Sequence, residues 1–129
     1  MITISLNSPV PLHDQLVQEI RRLLADGTLQ VGDELPPVRQ LANDLGINLN
    51  TVARAYRELT EHGLLATSRG RGTVVLSTTE RRSNKSSEER KKVEATLGAA
   101  LADAKIAGLS RHDIEQLVQK QLQRLWAER

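Results

Sequence analysis

Cysteine is absent from the 129 residues, and so is phenylalanine. The first absence excludes disulfides and thiol catalysis, and it leaves any metal site to three scattered histidines, His13, His62 and His112. The second leaves Tyr56 and Trp126 as the only large rings, so the core must be built from Leu, Val, Ile and Ala. Such a core suits packed helices better than a β-sandwich. No apolar run is long enough to cross a membrane or to serve as a signal-peptide core, so a soluble cytoplasmic protein is expected. An excess of one charge is lacking too, at a formal net of +2. Residues 1–76 carry 7 basic and 8 acidic side chains, and residues 77–129 carry 11 and 8. Any nucleic-acid role for the first part therefore depends on where its arginines point, not on how many there are.

Along the chain, Ile2, Ile4 and Leu6 alternate with polar residues, the pattern of a short strand. From Leu12, the apolar positions Leu16, Val17, Ile20, Leu23 and Leu24 have the spacing of one buried helical face, and Gly27 stops that helix. The turn-rich stretch from Gly32 to Pro37 leads into a short helix with Val38, Leu41, Ala42 and Leu45 inward, closed by Gly46. Ile47 then plugs the core, and Asn48 is suited to cap a third helix that buries Val52, Ala55, Tyr56 and Leu59 and ends at Gly63. Two short apolar runs, Leu64 onward and Thr73 to Leu76, flank Arg69-Gly70-Arg71-Gly72, as in a β-hairpin with a basic tip. Three helices followed by a hairpin make a winged helix-turn-helix over residues 1–76. Residues 77–87 read as a linker or helix start. Residues 88–129 read as two helices joined at Gly108, the second opened by a capping box from Ser110 to Asp113. The fold class is thus mainly α with a small β-wing, followed by a two-helix segment.

A helix-turn-helix lays its second helix in the major groove. At about 100° per residue, Asn50, Arg54, Arg57 and Glu61 share the face opposite the buried residues of the third helix. Asn can pair bidentately with adenine and Arg with guanine, while Thr51 can reach a phosphate or a thymine methyl group. Free N–H groups at that helix start favour a phosphate. In the hairpin, the glycines let the backbone turn tightly, so that Arg69 and Arg71 can enter the minor groove or grip phosphates. Arg39 either anchors a phosphate or pairs with Asp44.

The runs Gly32-Asp-Glu-Leu-Pro-Pro-Val-Arg-Gln-Leu-Ala, Asn50-Thr-Val-Ala-Arg-Ala-Tyr-Arg-Glu-Leu, Gly63-Leu-Leu and Arg69-Gly-Arg-Gly-Thr occur in that order. Over about residues 10 to 76 they closely resemble the GntR family of bacterial regulators. The resemblance implies a DNA-binding repressor and marks Arg39, the start of the third helix and the hairpin tip as operator contacts. Together the two arguments select Arg39, Asn48, Asn50, Thr51, Arg54, Arg57, Arg69, Gly70, Arg71 and Gly72. The sequence departs from the family at Pro37, where Ser is common and a hydroxyl cap is lost. It departs again at Leu49, which replaces a frequent Pro or Arg and removes one possible DNA contact, and at His13, where Tyr is common.

The 53 residues after Leu76 are too few for the ligand-binding domain that many family members carry, and the short helical tail looks like that of the YtrA subfamily. Val93, Leu97 and Leu101 make one apolar stripe, and Ile114, Leu117, Val118, Leu122, Leu125 and Trp126 another. A helical pair cannot bury both by itself, so either a second copy or the winged helix must cover them; a homodimer is the expectation. Such a dimer would place its wings on half-sites of a palindromic duplex, and a small-molecule effector would alter its grip. An enzyme is not expected, because the histidines lack metal-ligand spacing and Gly70-Arg-Gly lacks a phosphate-loop signature. No cofactor or metal is implied. A winged helix used only for protein contacts would show a more apolar face than Asn50, Arg54 and Arg57 provide.

Overall fold

A computed structural model of the chain describes residues 2–68, 70, 72–76 and 86–126, the side chains of residues 86 and 87 excepted. The element order is α1 (Leu12–Ala25), α2 (Val38–Leu45), α3 (Leu49–Glu61), β1 (Leu65–Ser68), β2 (Gly72–Val75), α4 (Ser86–Ile106) and α5 (Arg111–Leu125). The chain divides into two units, Met1–Arg81 and Arg82–Arg129.

In the first unit the apolar spacing becomes packing. Helix α1 buries Leu16, Val17, Ile20 and Leu23; α2 buries Leu41 and Ala42; α3 buries Val52, Ala55, Tyr56 and Leu59. Leu29, Leu35, Leu65 and Val75 close the same cluster from the loops and the hairpin. The turn between α2 and α3 follows from its glycine. Gly46 takes φ 68°, its N–H bonds the Asn43 carbonyl at 3.2 Å, and the Ile47 N–H bonds the Ala42 carbonyl at 3.0 Å. This left-handed cap reverses the chain and presses Ile47 against the core, as its place after the glycine predicts.

The first residues depart from the expected pattern, because Ile2, Ile4 and Leu6 do not form a strand. The side chains of α1 take the place of a neighbouring strand. The Thr3 N–H and hydroxyl donate to Glu19 Oε2 at 3.2 and 3.1 Å, and the Ser5 N–H donates to Gln15 Oε1 at 2.7 Å. With those donors satisfied by α1, no ladder is needed, and Ile2 packs onto the core instead. Burial alone would raise the Glu19 carboxyl, but hydrogen bonds from Arg22 and Thr3 and the Arg22 charge outweigh it and hold Glu19 below the usual carboxylate range.

Strands β1 and β2 pair antiparallel from Leu65↔Val75 to Ser68↔Gly72, with Gly70 in the turn between them. A third segment joins this hairpin through the backbone. Gly32 N–H donates to the Val75 carbonyl (3.0 Å), Val75 N–H to the Asp33 carbonyl (2.9 Å) and Leu35 N–H to the Thr73 carbonyl (2.9 Å), with a bridge between Glu34 and Val74. The turn-rich stretch before α2 is therefore bonded along β2 through its backbone, with a single bridge at Glu34.

In the second unit, α4 and α5 form where the stripes predict them. Gly108 (φ 95°) ends the α4 turn, and Leu109 N–H returns to the Ala104 carbonyl at 3.1 Å. The expected linker, residues 77–87, lies outside the described residues as far as 85, and α4 opens at Ser86.

Candidate nucleic-acid interface

Helix α3 starts at Leu49 because Asn48, at φ −64° and ψ 135°, turns its side chain onto the helix end: its Oδ1 accepts the Asn50 N–H at 2.7 Å. Once the helix is started there, the rotation of its residues divides it. Val52, Ala55, Tyr56 and Leu59 are buried, whereas Asn50, Arg54, Arg57 and Glu61 are exposed and Thr51 is half-buried. Arg39, in the first turn of α2, is exposed as well. Among the described residues no ion pair joins Arg39 to Asp44, and neither Arg54 nor Arg57 is held by a carboxylate of the chain. Helix α2 begins at Val38 directly after Pro37, which offers no capping side chain but already holds φ at −56°.

Tyr56 contributes a feature that periodicity alone conceals. Its ring is buried on the inner face of α3, and its hydroxyl donates to the Pro36 carbonyl at 2.6 Å. Burial pushes the phenol well above the usual tyrosine range. Pro36 follows the segment that pairs with β2 and precedes the helix that carries Arg39. One short stretch, residues 32–37, therefore links the wing, the start of α2 and the inner face of α3. The wing, α2 and α3 are tied together there by backbone hydrogen bonds and one phenol.

At the hairpin tip, Gly70 (φ 82°) and Gly72 (φ 76°) hold left-handed conformations that a side chain would strain. Arg69 and Arg71 lie outside the described residues.

The histidines serve a different purpose. His13 sits 3.2 Å from Asp14 and 3.4 Å from Glu58 of α3, and Arg21 donates to His62 Nδ1 at 2.8 Å. Both contacts tie α1 to the outer flank and end of α3. Among the described residues no cluster of His, Asp and Glu could hold a metal ion.

In the second unit, Ser110 and Asp113 form the expected capping box. The Asp113 N–H donates to Ser110 Oγ at 3.1 Å and the Ser110 N–H to Asp113 Oδ2 at 3.0 Å, which holds the Asp113 carboxyl below its usual range. Val93, Leu97, Leu101, Leu117, Val118, Leu122 and Trp126 are exposed, while Ile114 and Leu125 are half-buried. Between α4 and α5 runs a groove of about 840 Å³ whose lining includes Leu101, Leu109, Ile114 and Val118 with Lys105 and Arg111.

Three helices with a capped, polar-faced third helix, followed by a two-stranded hairpin, define a winged helix-turn-helix. The family model described as bacterial regulatory proteins, gntR family, matches residues 12–75. A solved structure of YtrA from Sulfolobus acidocaldarius, a GntR-family transcription factor, is 35% identical, covers 78% of this chain and 97% of its own, and superposes with a TM-score of 0.61. This chain belongs to the GntR family. It is 43% identical over 75 residues to the HTH-type transcriptional repressor YtrA of Bacillus subtilis, and the match spans 58% of each protein. A transcriptional antiterminator from Listeria monocytogenes EGD-e shares 28% identity and superposes with a TM-score of 0.80 over 99% of this chain and 94% of its own. Among the described residues, no helix is long and apolar enough to cross a membrane.

Proposed function

We propose that this chain is a cytoplasmic repressor that binds a palindromic operator duplex as a homodimer, by recognition and not by catalysis. The observation that carries the DNA reading is the exposed face of α3, where Asn50 and Arg54 follow the end capped by Asn48, Arg57 continues the same face, and neither arginine pairs with a carboxylate among the described residues. These are the side chains that pair with adenine and guanine in the major groove, and Arg39, Asn48, Thr51 and the tip residues 69–72 complete the contact set. Repression is the direction carried by the B. subtilis relatives, named as the repressors YtrA and NagR.

The dimer reading rests on the second unit. Among its described residues none is buried, although α4 and α5 carry the apolar stripes. A full burial of each such side chain is worth roughly 1.5–3 kcal/mol, which a second copy would recover by covering the stripes and the groove between the helices. Control by a small-molecule effector belongs to the same reading and would register as a ligand-dependent change in operator affinity.

The test is selection of bound fragments from a random DNA pool, followed by binding to the enriched duplex across a salt series. A two-fold symmetric sequence is expected, with affinity falling steeply as salt rises, because phosphate contacts release counterions. In Arg54→Ala, base preference at one position should relax at a cost of about 1–3 kcal/mol. Absence of any enriched sequence, or binding indifferent to salt, would overturn the proposal.

A further inference from the structure

Among the described residues of the winged helix, four large apolar side chains are exposed: Leu6, Val10, Val31 and Leu49. The first three lie in turns and bends, but Leu49 is the first residue of α3. It is 42% exposed and is not among the partly buried apolar residues that pack on the core, a set that includes its neighbours Leu45 and Ile47. The fold does not use this side chain. Capping is supplied by Asn48, and the inward positions of the helix begin at Val52.

Its position gives it a use. Leu49 stands at the end of α3 that would enter a major groove first, between the cap Asn48 and the exposed Asn50. One turn later the half-buried Ala53 continues the same strip, about 40° round the helix. Polar base edges offer an isobutyl group nothing, since it can neither donate nor accept. The one apolar feature a base pair presents in the major groove is the C5-methyl group of thymine. A leucine there would meet that methyl favourably, and it would leave the exocyclic amine of a cytosine without a hydrogen-bond partner.

We propose that Leu49, extended by Ala53, is a specificity-determining residue that reads a thymine methyl group in each operator half-site. The proposal rests on the DNA-binding function given above. It predicts a required T at one position per half-site, chosen by contact with its methyl group and not by hydrogen bonding.

Deoxyuridine removes that methyl group and leaves the hydrogen-bonding edge intact. With the full chain and its selected operator, each thymine is replaced in turn by deoxyuridine and the affinity measured. At one position of a half-site, the wild type should lose about fourfold, the value of burying one methyl group. Leu49→Ala, a change that favours helix, should bind the thymine operator more weakly and no longer distinguish thymine from deoxyuridine. A wild type indifferent to deoxyuridine at every position would overturn this proposal alone, as would a Leu49→Ala variant that keeps the wild-type ratio. Failure to select any operator would overturn the DNA-binding function, and this proposal with it.

Discussion

Replacing Tyr56 by Phe isolates the bond that joins α3 to the strap before α2. The ring keeps its place in the core, so the apolar burial is nearly unchanged. What is lost is the hydroxyl that donates to the Pro36 carbonyl at 2.6 Å. A hydrogen bond of this kind contributes about 0.5–1.5 kcal/mol net, and leaving its half-buried acceptor unpaired raises the loss to about 1–2 kcal/mol. For a unit of this size, each kcal/mol lowers the thermal midpoint by roughly 4–8 °C, so a fall of about 5–15 °C is expected. The same residue sets an alkaline limit. Burial raises the folded phenol above its unfolded value near ~10. Its contribution is therefore complete below about pH 10 and is lost as pH rises from there toward the folded value. Residues 1–76 contain no lysine and no other tyrosine. Thermal melts of wild type and Tyr56→Phe between neutral and alkaline pH, with tyrosinate absorbance followed alongside, measure both effects. The wild type should ionise its tyrosine only as the winged helix unfolds, and the variant should lose the alkaline fall in stability. An unchanged midpoint near neutrality, or a tyrosine that ionises freely in the folded protein, would refute the reasoning.

Asn48→Ala should cost about 1 kcal/mol by freeing the Asn50 N–H, while Asn48→Asp should retain most of the stability; thermal melts of the two variants check this. Val118→Asp places a charge in the groove between α4 and α5, and by sedimentation it should shift a dimer to monomers without moving the melt of the winged helix. The Asp113 carboxyl lies below its usual range, so its contribution to the start of α5 is present above about pH 4 and is lost as pH falls through the lower folded value. Helix content followed by circular dichroism should drop at acid pH in the wild type, and Asp113→Ala should flatten that dependence.

The order of elements in the winged helix was legible from spacing because α1, α2 and α3 are amphipathic and the turns between them carry their own glycine or cap. Gly46, Asn48 and the Ser110–Asp113 box act within a few residues of themselves, so local sequence suffices to place them. The face of α3 was equally legible, since rotation along a helix assigns Asn50, Arg54 and Arg57 to one side once Val52, Ala55, Tyr56 and Leu59 are taken as inward. The amino-terminal alternation misled. Period two describes a strand only where an edge lies alongside, and here Glu19 and Gln15 satisfy the donors of Thr3 and Ser5.

By itself, then, the sequence determined that this protein has three helices, a hairpin and two apolar tail stripes, and which side of α3 is polar. Tertiary structure alone decided that residues 32–35 hydrogen-bond along β2 and that Tyr56 clasps Pro36, twenty positions away. It also decided that Leu49 is left bare at the helix start. Periodicity carries the inside and outside of each element, whereas contacts between distant residues exist only once the elements have packed.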